Sequence, residues 1–173
     1  VPLPSGPGAN AQTNWPSDPI ALYKVGFAAL GQHDHATAIA GLTRFLEKHP
    51  RHDYADNAQY WLGEAFYDQR DYSRALAEFR KVLQHYPSEN KAPDALLKAG
   101  YCHAKLGDGA QARDVLAQVI EIYPASSAAK LARAVMTCPI APESISSFAF
   151  TTSGQYWAFS ATMKTVSADR ASA

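Results

Sequence analysis

The side chains able to carry chemistry are few, and six histidines head them: His33, His35, His49, His52, His85 and His103. Imidazoles bind metals or move protons when a second ligand or a charged partner is held beside them. His33-Asp34-His35 and His49-Pro50-Arg51-His52 fall instead where inter-helix turns are expected, so solvated or capping roles are the default there. Cys102 and Cys138 show no metal-ligand spacing. Cys102 reads as a core residue, and the spacing settles no disulfide. No Gly-rich phosphate loop is present, and no Ser or Cys sits in a nucleophile motif. The expectation is a non-enzyme with no cofactor and no metal. A metal-dependent enzyme using the histidines is the competing reading, which a metal analysis would decide.

A second constellation suits binding rather than catalysis. Tyr60, Glu64 and Tyr67 lie at i, i+4 and i+7, which places them along one stripe of a helix. Equivalent stripes are Tyr23, Phe27 and Leu30, then Leu97, Tyr101 and Ala104, with Asn57, Asp68, Asp94 and Lys105 as polar neighbours. Tyr gives a large contact area with a polar tip at small entropic cost, so such a face suits an amphipathic helix or an extended peptide. The plainer role for an aromatic stripe is packing against the next helix.

The elements that position these stripes are helical hairpins. From Tyr60 to Pro87, Leu62, Gly63 and Phe66 and then Ala75, Phe79 and Val82 put small and apolar residues on one face of each of two helices. Gly inside a helix is about 1 kcal/mol worse than Ala, so Gly63 predicts close approach of a second helix, with Ala75 as its expected counterpart. The unit repeats every 37 residues: Gly26, Gly63 and Gly100; Asp34, Asp71 and Asp108; Ala38, Ala75 and Ala112; Pro50, Pro87 and Pro124; Ala55, Ala92 and Ala129. A fixed period of this size marks units that stack to bury a face none can bury alone. Asp18-Pro19 opens the first helix, which runs to about Gly31. Asp34, Asp71 and Asp108 read as N-caps of second helices over about 35–48, 72–85 and 109–122. Asp53, Asn90 and Ser127, again 37 apart, read as early caps of the helices that follow.

At Trp61-Leu62-Gly63, Ala75, Phe79 and Pro87 the chain resembles the tetratricopeptide repeat, whose usual period is about 34 residues. The longer period, the phrases YWLGEAFYDQRDYSRALAEFRKV and KAPDALLKAGY and the ending YPASSAAKLA look like the C-terminal repeat domain of the YbgF/CpoB proteins of the bacterial Tol-Pal envelope system, over about Pro19 to Ala134. The resemblance implies an all-α fold: a right-handed α-solenoid of three tetratricopeptide-type hairpins plus a C-terminal capping helix. The expected bounds are a Pro/Gly-rich linker over 1–17, repeats over about 18–50, 53–87 and 90–124, the capping helix over 128–136, and a Ser/Thr/aromatic tail over 137–173. The tail departs from the family and reads as disordered or as a β-hairpin.

In such a superhelix the second stripe lines a concave groove, so the partner-binding candidates are Tyr23, Phe27, Asn57, Tyr60, Glu64, Tyr67, Asp68, Asp94, Leu97, Tyr101 and Lys105. The resemblance implies a periplasmic protein-interaction module that binds TolA and helps coordinate peptidoglycan synthesis with outer-membrane constriction at division. A scaffold subunit of an outer-membrane assembly complex is the alternative. The Lys, Asn and Arg cluster that clamps chaperone C-termini is missing, so chaperone-tail binding is not expected. No heptad pattern occurs, so the family's coiled-coil trimerisation is not carried over and a monomer is expected.

Sixteen basic and sixteen acidic side chains balance in 173 residues, which argues against a nucleic-acid or anionic-membrane partner. The uncharged run from Ser144 to Met163 is too polar to span a bilayer. Nothing near Val1 has the charged start and apolar run of a signal peptide, so processing or a chosen start is expected to have removed what came before.

Overall fold

The structure is a computed structural model and describes residues 15–137. Seven helices follow one another: α1 (Pro19–Gly31), α2 (His35–Lys48), α3 (Ala55–Asp68), α4 (Tyr72–His85), α5 (Ala92–Lys105), α6 (Gly109–Ile122) and α7 (Ser127–Thr137). Helices pair as α1·α2, α3·α4 and α5·α6, each pair stacks on the next, and α7 packs on α6 and α5. The described residues form an all-α solenoid of three helical hairpins followed by α7, as expected. The expected tail and β-hairpin, Cys138 and most of the expected linker lie outside the described residues.

Three local devices recur with the sequence period. Each turn inside a hairpin holds one left-handed residue, His33 (φ 58°), Arg70 (φ 62°) and Gly107 (φ 88°). The next residue's N–H then reaches back to the preceding helix, Asp34 to Ala29 O, Asp71 to Phe66 O and Asp108 to His103 O, each at 2.9 Å. This closes the orphaned carbonyls of the first helix. The N-caps follow. Asp18 accepts from Ala21 N at 2.7 Å, Asp34 from Thr37 N at 3.1 Å and Asp71 from Arg74 N at 3.0 Å. Asp108 departs from this expectation: its carboxylate makes no cap bond and turns toward His103, Oδ2 lying 3.6 Å from Nδ1.

The turns between hairpins correct three further expectations. Asp53 and Asn90 do not cap, because α3 and α5 start one residue beyond Tyr54 and Lys91. Their first turns are closed by backbone bonds, Ala55 N to His52 O (2.8 Å) and Ala92 N to Glu89 O (3.2 Å). At α7 the cap is Ser126 rather than Ser127, its Oγ accepting from Ala129 N at 3.0 Å. The tyrosines before the second and third closing Pro tie each unit to the one before it. Tyr86 Oη donates to Pro50 O at 2.9 Å and Tyr123 Oη to Pro87 O at 3.2 Å.

Packing explains the glycine column. A Cβ on Gly63 would lie 2.7–3.0 Å from three atoms of the Phe79 ring, on Gly26 2.9 Å from Leu42 Cγ, and on Gly100 3.0 Å from Leu116 Cδ2. The nearest side chains across the seam are therefore those of the Leu42, Phe79 and Leu116 column, with Ala112 O also 3.6 Å from the Cβ position of Gly100. One core runs through the first two hairpins and into α5, with Phe45, Phe79, Leu42 and Val82 fully buried. A second joins α5, α6 and α7, where Ala128, Ala129 and Ala132 cover Leu116 and Val119. At the other end the Trp15 ring meets Gly41, 3.0 Å from where its Cβ would be.

Candidate functional site

The first helices of the hairpins, α1, α3 and α5, lie side by side and present the expected stripes. An aromatic strip runs across α1 and α3. Tyr23 stacks on Phe27 (centroids 6.0 Å) and on Tyr54 (5.0 Å), Phe27 leans on Trp61 (5.0 Å), and Trp61 meets Tyr60 edge-on (5.2 Å). Phe27 and Tyr54 remain 43% and 41% exposed, and Tyr23 and Trp61 are half-buried. Lys91, at the start of α5, holds its ammonium over the rings of Tyr60 (5.1 Å) and Trp61 (5.4 Å) and lies 3.8 Å from Asp94.

The centre of the face is sealed. Glu64 of α3 accepts from Lys98 of α5 at 2.8 Å, with the side chains only 6% and 4% exposed. Lys98 also lies over the Tyr67 ring, 4.8 Å from its centroid. Burial pushes the Glu64 carboxyl above its ordinary range, opposed by the Lys98 charge and hydrogen bond. Burial likewise raises the Asp94 carboxyl, against Lys91 and Lys98, and holds the Tyr60, Tyr67 and Tyr101 hydroxyls neutral, Tyr101 at about 12. The Cys102 thiol is fully buried and pushed up to about 12, an inert core residue.

The candidates thus divide. Tyr23, Phe27, Asn57, Tyr67, Asp94 and Lys105 reach the surface at least in part, whereas Tyr60, Glu64, Leu97 and Tyr101 are buried. Adjacent first helices approach closely enough that these four side chains fill the seam between them, and Leu97 and Tyr101 join the second core. Asp68 is turned away from the aromatic strip toward His35 of α2, Oδ2 to Nε2 being 3.9 Å. His33, His35 and Asp68 each bring a ligand atom within 4.8 Å of the others, the arrangement among the described residues able to hold a cation. Sequence reasoning missed Tyr54, Trp61, Lys91 and Lys98 as members of this face. Lys98 carried a signal, a lone charge within the apolar run Ala95 to Cys102.

Sequence models of the tetratricopeptide repeat match residues 23–90 and 66–135. Residues 23–135 are accordingly tetratricopeptide repeats, a class of protein-interaction module. Among solved structures the chain is similar to the TPR domain of Arabidopsis OM64, at 16% identity and a TM-score of 0.57, covering 68% of this chain and 93% of that one. It is also similar to the first TPR of Spaghetti (RPAP3) bound to the HSP90 peptide SRMEEVD, at 16% identity and a TM-score of 0.55, covering 68% and 90%. A comparison with curated proteins finds no match. No helix among the described residues is long and apolar enough to cross a membrane.

Proposed function

We propose that this repeat domain is a periplasmic docking module of the bacterial envelope, of the YbgF/CpoB kind. It would take a helical or extended segment of TolA along the face of α1, α3 and α5 and so couple peptidoglycan synthesis to outer-membrane constriction. The observation that carries a docking role is the partly exposed aromatic strip of Tyr54, Tyr23, Phe27 and Trp61, four rings in successive contact at an unsealed edge of that face. Rigid aromatic anchors of this kind supply most of the energy in protein interfaces. An acidic chaperone tail is a poorer occupant. Lys98 is taken by Glu64 and Lys91 lies beside Asp94, so neither offers the uncompensated charge that a terminal carboxylate needs.

Titration calorimetry of the chain with the periplasmic helical region of TolA tests the proposal. Phe27→Ala with Tyr54→Ala, both at exposed rings, is expected to weaken binding at least about tenfold while melting stays close to that of the parent. If the parent does not bind, the Tol-Pal assignment falls and the scaffold role in an outer-membrane assembly complex becomes the better reading. Binding that survives the double substitution removes the aromatic strip as the site.

A further inference from the structure

Two buried polar atoms face each other at the junction of the first and second hairpins and have no hydrogen-bond partner: His35 Nε2 at the start of α2 and Asp68 Oδ2 at the end of α3. They are 3.9 Å apart, too far for a hydrogen bond. The imidazole of His33, on the turn beside them, lies edge-on to His35 with centroids 6.1 Å apart. One ligand atom from each of the three comes within 4.8 Å of the others. We propose that His33, His35 and Asp68 form a site for a first-row divalent transition cation, with Zn²⁺ as its natural probe.

Donor chemistry and distances agree with this. Two imidazoles and one carboxylate suit zinc and its neighbours rather than calcium or magnesium. Ligand atoms around a tetrahedral zinc stand about 3.3 Å apart, given metal–ligand bonds of about 2.0–2.1 Å. The His35–Asp68 gap of 3.9 Å needs to close by about 0.6 Å to reach that value, and His33 is exposed at the turn beside it. Three protein ligands leave one position for water or for a partner's side chain.

The fold does not demand these residues. One period later the same junction is built from Arg70, Tyr72 and Lys105 on the same backbone pattern, with the left-handed residue again at the turn. That second junction carries two cationic side chains, and Lys105 is driven below its ordinary pKa by burial and by the Arg70 charge. A cation belongs at the first junction and is repelled from the second. Bound there, it would tie the α1–α2 turn to the end of α3 and fix the first hairpin on the second. This site is independent of partner docking on the first-helix face.

The test uses the full chain, stripped with a chelator, titrated with Zn²⁺ against a chromophoric competitor, with melting followed in parallel. The expected result is saturable binding of about one equivalent that raises the melting temperature. His35→Ala and Asp68→Ala should each weaken binding at least about tenfold and abolish the thermal shift, whereas His49→Ala with His52→Ala should leave both unchanged. Asp68→Asn, which keeps shape but removes the anionic ligand, serves if Asp68→Ala does not fold. Binding no tighter in the parent than in a His35→Ala, Asp68→Asn double variant overturns the site. So does a loss as large in the His49/His52 control, which would show adventitious capture by surface imidazoles.

Discussion

Replacing Lys98 by Met should reveal how far the centre of the first-helix face is closed to water. The substitution removes the cation from a pair whose side chains are 4% and 6% exposed, and Glu64 Oε1 already has no hydrogen-bond partner. If Glu64 stays ionised, an isolated carboxylate remains between α3 and α5, and pairs broken in this way lose about 3–5 kcal/mol. If it takes up a proton, the loss is limited to the work of protonating a carboxyl of ordinary pKa 4.5 at the working pH. At about 1.4 kcal/mol per pH unit, that work is about 3.4 kcal/mol at pH 7 and about 0.7 kcal/mol at pH 5. Burial raises the folded-state pKa of Glu64 above its unfolded value. The native state therefore holds the proton between those two values, and stability falls as pH rises through that window. Without Lys98 the window extends upward. Urea unfolding of Lys98→Met should show a loss of about 3–4 kcal/mol at pH 7, shrinking to about 1 kcal/mol at pH 5. Lys98→Met with Glu64→Leu should recover to within about 1 kcal/mol of the parent, because both ions have then left the interior. A loss below about 1 kcal/mol that does not change with pH would refute the reasoning, since it would mean that the pair is hydrated.

The glycine column and the left-handed column make two further predictions. Gly63→Ala gains about 1 kcal/mol of helix propensity but drives a methyl to within 2.7 Å of the fully buried Phe79 ring, a clash expected to cost about 1–3 kcal/mol, so the variant should melt lower than the parent. Gly31→Ala, with nothing within 4 Å, should be neutral or slightly stabilising, and a stabilised Gly63→Ala would show that the helices do not meet there. Gly107→Ala places an L side chain at φ 88° and should lose about 1 kcal/mol, whereas Arg70→Gly relieves the same strain at φ 62° and should be neutral or stabilising. Equal losses in denaturant unfolding of both would remove the left-handed turn as the shared device.

The division of labour between sequence and structure follows the range of the interactions. Helix bounds, the three turns and the register of the repeats were legible because local groups set them: Asp34 and Asp71 bond their own first turns, and the Gly and Pro columns mark close contacts and stops. The same local reasoning misplaced the caps at Asp53, Asn90 and Ser127, where backbone turns and Ser126 close the helix starts. It did not single out Phe79 as the side chain nearest Gly63, because periodicity gives the face a residue lies on but not which side chain across the seam fills it.

What the sequence by itself determined is a stack of 37-residue helical hairpins with an aromatic stripe on each first helix. Only the tertiary structure decided which stripe residues stay accessible, burying Tyr60, Glu64, Leu97 and Tyr101 while leaving Phe27 exposed, and it added Tyr54 from the turn before α3. It also brought Lys98 to Glu64 across 34 residues and turned Asp68 toward His35. Those meetings depend on how far each hairpin rotates and slides on the one before, and that is set by the summed packing of whole helix faces.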